Sequence, residues 1–168
     1  MPLVVVALAC GLLAGLLLGG SVRRLAGARL YGVGLLLAGA TCEIGTRWVG
    51  GAAAAGIMIA GYVLIICFAL RNVAVTGMVL VAIGLLANLT VIAVDRGMPV
   101  RGLPAGLSDG WRHHGERPGD RLTGLADVVP LTPLGETVSA GDLVLSLGVA
   151  TAVASLTRAR RRPAPEMS

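Results

Sequence analysis

The sequence has 168 residues, 55% of them hydrophobic and only 14% charged, with a mean hydropathy of +0.84. A soluble domain carries about a quarter charged residues, so this composition excludes an ordinary soluble core and requires a membrane protein. The formal charge of +5 comes from 14 Arg and no Lys, but the arginines flank apolar runs, where positive charge sets topology and meets anionic headgroups. With three aromatics besides two Trp there is no stacking platform for bases, and nucleic acid is excluded as a partner.

The composition and the runs predict an all-α integral membrane fold with five transmembrane helices, over about residues 3–20, 30–49, 51–70, 73–94 and 138–156. Residues 1–157 form one membrane domain that includes a long outer segment, 95–137, and residues 158–168 form a basic cytoplasmic tail. The first run has no basic residue before it and Arg23, Arg24 and Arg29 after it, the reverse of a cleaved signal peptide. It reads as a retained helix with its N-terminus outside. Gly11, Gly15 and Gly19 recur every four residues, a small-residue face suited to helix–helix association.

The second and third runs are joined by little more than Trp48-Val49-Gly50-Gly51, which predicts a tight antiparallel hairpin with Trp48 near an interface. Glu43 and Arg47, four apart, can neutralise each other, although an ionisable group at membrane depth is also a functional candidate. Cys10, Cys42 and Cys67 lie inside apolar runs and read as small core residues rather than a disulfide framework or metal site. The fourth run carries Asn88, which reads as interhelical hydrogen-bonding glue or as a ligand-facing amide.

Eight arginines, Arg23, Arg24, Arg29, Arg71, Arg158, Arg160, Arg161 and Arg162, fall on one side of the predicted spans and six on the other. The positive-inside rule then places the C-terminal tail in the cytoplasm and the 95–137 segment outside. That segment holds both histidines, His113 and His114, but neighbouring residues do not face one site on regular structure and no acid or Cys is spaced to help. No metal site is expected, and no motif implies a cofactor.

Two carboxylates stand out. Asp127 is embedded in the apolar stretch Gly124–Leu131, and Asp142 opens the last run in Ser139-Ala140-Gly141-Asp142. S-x-x-D before an apolar run resembles a capping box, Ser139 capping and Asp142 favouring the positive end of the helix dipole. The alternative is a pair of acids sharing a proton and activating water.

Asn88, then Gly97-Met98-Pro99-Val100, a His-containing loop, Leu125-Ala126-Asp127-Val128-Val129-Pro130 and Val138-Ser139-Ala140-Gly141-Asp142 together resemble an uncharacterised bacterial family of small multi-pass membrane proteins, defined only as a domain of unknown function. The resemblance covers nearly the whole chain and implies a place in the bacterial cytoplasmic, or inner, membrane without supplying an activity. A second, weaker similarity is to lipoprotein signal peptidase, which implies Asp127 and Asp142 as catalytic acids. The chain departs from that family in the seven-residue spacing from Asn88 to Asp95 and in Ser139 where the family has Asn. Three functional readings follow: a structural, assembly or regulatory membrane component, an outer-leaflet hydrolase using Asp127 and Asp142, and a small transporter.

Overall fold

The computed structural model describes residues 2–46, 48–49, 51–95, 98–100, 108–109, 113–115, 118–119, 121–125, 129–131 and 136–158. Among them are the helices α1 (Pro2–Leu17), α2 (Val22–Ala26), α3 (Val33–Gly45), α4 (Gly51–Arg71), α5 (Met78–Asp95) and α6 (Ala140–Arg158). Between α5 and α6 lie five short strands, β1 (Met98–Val100), β2 (Ser108–Asp109), β3 (His113–Gly115), β4 (Val129–Leu131) and β5 (Glu136–Val138). The protein is an all-α membrane protein. Three helices, Ala53–Arg71 within α4, α5 and α6, are long and apolar enough to cross a bilayer.

The shorter α1 and α3 are also apolar, with 16 and 13 residues, or about 24 and 20 Å at the helical rise. The second run is helical only over α3 because Gly32, in the left-handed region at φ 72°, starts it and a turn at Thr46 ends it. The fourth run begins five residues later than its hydropathy predicts. Asn72 to Gly77 form turns rather than helix, and Gly77 has φ +100°, a conformation a β-branched or bulky residue avoids. The last run is displaced by two residues because Val138 belongs to β5.

Packing orders the helices α1, α6, α5, α4, α3. Glycine makes three of the four seams close. Gly11 and Gly15 of α1 meet Ala150, Ala154 and Thr157 of α6, pairings that rise together along both chains and so make α1 and α6 parallel. Gly39 of α3 and Gly61 of α4 approach each other's helices, with Ile65, Cys42 and Glu43 as neighbours. Between α5 and α6, a Cβ on Gly84 would lie 2.5 Å from the Leu145 backbone nitrogen, and one on Gly148 would lie 2.6 Å from that of Val81. Backbone cannot swing aside, so only glycine permits this approach. Gly19, the third of the expected glycine face, lies beyond α1 with φ +82°, and a Cβ placed on it would meet nothing within 4 Å.

Two buried clusters fill the layer, one around Phe68, Ala69, Met78, Val81, Ala82 and Leu85, the other joining Met58, Val91, Ile92 and Met98. Large apolar side chains such as Leu13, Leu37, Val63, Ile83 and Leu147 point outward, as expected of helices in contact with lipid. Cys10 and Cys67 are among the exposed residues and Cys42 is half-buried, so the first two are outward-facing rather than core residues. The α2 helix packs on α6, and Ser21 N–H donates to Thr157 O at 2.9 Å. This gathers Arg23, Arg24 and Arg158 at one end of the helices, opposite the strands.

Candidate functional site

The β4 and β5 strands pair antiparallel, Val129 opposite Val138, and deliver the chain to Ser139 at the mouth of α6. There the local sequence closes a capping box. Ser139 Oγ accepts from the Asp142 N–H at 2.9 Å, and Asp142 Oδ2 accepts from the Ser139 N–H at 3.2 Å. Two of the donors that a helix start leaves unused are thereby satisfied.

Asn88 of α5 completes the arrangement across the seam. Its Nδ2 donates to Asp142 Oδ1 at 2.7 Å, while its Oδ1 accepts from Ser139 Oγ at 2.8 Å. Asn88 is 1% exposed and Ser139 fully buried. The glycine at 141 makes room, since a Cβ there would collide with the Asn88 amide. The cap and the interhelical bond are thus one network in which every side chain has two or more bonds. Chemically, it fixes the register of α6 on α5, and the Asp142 carboxylate accepts from two donors.

The other expected site residues are described only in part. Asp127 lies outside the described residues, as does Arg47, the expected partner of Glu43. His113 and His114 form β3, whose backbone pairs parallel with Met98 and Pro99 of β1 and antiparallel with β2. Among the described residues no group of three or more His, Cys, Asp or Glu is placed to hold a metal ion.

A scan of protein families matches a family of unknown function, DUF5317, over residues 25–154. The chain belongs to the DUF5317 family. No curated protein and no solved structure matches it. Membership covers α3 to most of α6, including the whole Asn88–Ser139–Asp142 network, and it assigns this DUF5317 chain no activity.

Three polar residues matter to the DUF5317 fold in ways the sequence does not announce. Asn72, 3% exposed, accepts from the Tyr31 N–H and donates to Tyr31 O and Phe68 O, each at 2.8 Å, fastening the turn before α3 to the end of α4. Asp95 accepts from the backbone N–H groups of Arg121 and Leu122 at 2.9 and 3.1 Å, anchoring the strand segment to the end of α5. Glu43 is buried, and its Oε1 would lie 3.1 Å from a Cβ on Gly61, so it looks across to α4. An Asn just after an apolar run, as at Asn72, is the one signal that marks the first of these in advance.

Proposed function

We propose that this chain is a multi-pass component of the bacterial cytoplasmic membrane with a structural, assembly or regulatory role and no reaction of its own. It crosses five times, with the strand segment outside and the basic end, which meets anionic headgroups, in the cytoplasm. The observation that supports this reading is the closure of the Asn88–Ser139–Asp142 network, whose bonds hold two helices together. Within it Asp142 accepts from the Asn88 amide and the Ser139 N–H, so its bonds serve the α5–α6 seam and the cap of α6.

Complementation tests the role. Asp127→Asn and Asp142→Asn are each expected to restore a deletion strain fully, and Ser139→Ala to restore it at a reduced protein level. Loss of function in both Asn variants at normal protein levels would overturn the reading in favour of a hydrolase that needs both acids. Reporter fusions at Ala28, Gly50, Thr76, Gly110 and Arg158 test the topology, the expected pattern being inside, outside, inside, outside, inside.

A further inference from the structure

The helix order α1, α6, α5, α4, α3 forms a curved layer, and its two end helices, α1 and α3, do not pack extensively on each other. Their inner faces instead border a common cavity of about 860 Å³, within the range of sites that enclose small-molecule ligands. On α5 the wall is Met78, Val81, Leu85, Asn88 and Ile92, a stripe at alternating spacings of three and four. Fourteen residue steps of helix span about 21 Å, more than the roughly 15 Å depth of one leaflet's hydrocarbon, half of the ~30 Å core. On α6, Leu145, Val149 and Leu156 continue the same apolar wall toward the basic end, where Leu25 and Leu30 close it.

The cavity's polarity is confined to its other part. Glu43 of α3, Tyr62 of α4, Asn88 of α5 and Asp142 of α6 all border it, one polar side chain from each of four helices. Among the described residues of the lining, the two charged ones, Glu43 and Asp142, are acids. Asp142 accepts two hydrogen bonds, while a carboxylate has about four acceptor positions. Apolar walls around a space of this size keep their van der Waals partners only when an apolar molecule fills it.

We propose that the cavity binds a long-chain amphiphile. Its hydrocarbon tail lies along the α5–α6 wall, and its head, uncharged or cationic and bearing O–H or N–H donors, lies among Glu43, Tyr62, Asn88 and Asp142. The acidic lining disfavours an anionic head, because like charges brought together in a water-poor site repel strongly. This binding is independent of the role proposed above, since a structural protein and an enzyme can each hold such a molecule.

The test uses the full chain reconstituted in phosphatidylcholine nanodiscs and three photoactivatable probes of equal chain length: a fatty alcohol, a fatty amine and a fatty acid, each with a diazirine in its tail. Cross-linked peptides are read by mass spectrometry. The alcohol and the amine are expected to label α5 and α6 saturably, and the acid, ionised at pH 8, about tenfold less, the equivalent of about 1.4 kcal/mol. Val149→Trp fills the tail region and is expected to abolish saturable labelling in protein that remains monodisperse. Leu145→Phe serves the same purpose if the Trp variant does not fold. Glu43→Gln is expected to reduce amine labelling relative to alcohol labelling. Equal labelling by all three heads, or labelling unchanged in a folded cavity-filling variant, would overturn the proposal and indicate nonspecific contact with bilayer lipid.

Discussion

The last helix, α6, has two packed faces, and they are built differently. Toward α1 it presents Ala150, Ala154 and Thr157 to Gly11 and Gly15, a seam of small residues with one interhelical hydrogen bond nearby, at the Ser21 end. Toward α5 it combines equally close glycine contacts with the Asn88–Ser139–Asp142 network. Van der Waals packing alone leaves sliding by a turn inexpensive where small residues repeat, whereas a buried amide with its own donor and acceptor partners tolerates one register. Close approach and register are separate problems in a bilayer, solved here by glycine and by polar side chains respectively.

The largest expected effect comes from breaking close approach on the α5 side. Gly84→Leu places a side chain against the Leu145 and Gly141 backbone, and thermal unfolding in detergent should show destabilisation of about 3 kcal/mol or more, the upper end of overpacking costs. Gly11→Leu should cost less, because α1 can shift away without disturbing α5, and limited proteolysis should release α1 while leaving the remainder intact. Next comes the register lock. Asn88→Leu removes two interhelical bonds and leaves Asp142 Oδ1 and Ser139 Oγ short of a partner, for about 1–2 kcal/mol; a loss equal to that of Gly84→Leu would show that packing and register are not separable. Ser139→Ala should cost about 1 kcal/mol as the loss of an N-cap, measured by the same unfolding. The smallest effect has the opposite sign. Ser146 is 7% exposed on α6 and its hydroxyl has no hydrogen-bond partner among the described residues, so Ser146→Ala should stabilise by up to about 1 kcal/mol.

Much of this was legible from residue order, and the limits have physical reasons. The capping box at Ser139 and Asp142 depends on a spacing of three within one helix turn, which sequence states directly. That Asn88 bonds across a seam was also readable, but its partners were not, because they depend on the register of α5 against a helix some 50 residues away, which the glycine contacts at Gly84 and Gly148 decide. Glu43 stands four residues before Arg47, which lies outside the described residues, and its Oε1 comes close to Gly61, a neighbour on another helix that spacing along one helix does not reveal. Hydropathy started the fourth span too early because Val73 and Val75 are apolar, while the Asn72 bonds and the positive φ of Gly77 hold them in turns. The five-residue α2 and the strands of two or three residues are too short to show a periodicity.

The parallel pairing of α1 with α6 carries a consequence for how the chain comes to be assembled. The α3–α4 hairpin joins neighbours in the sequence, and the Asn72 clasp to Tyr31 becomes available as soon as α4 has left the ribosome. α1 cannot behave this way: the surface that receives Gly11 and Gly15 is translated more than 130 residues after them. Through most of synthesis that glycine face has only lipid, or whatever insertion machinery shields it, for company. A helix of 16 residues with weak self-sufficiency is thereby made dependent on completion of the last one, and truncation before α6 should leave a chain whose middle helices are paired and whose first helix has no place to dock.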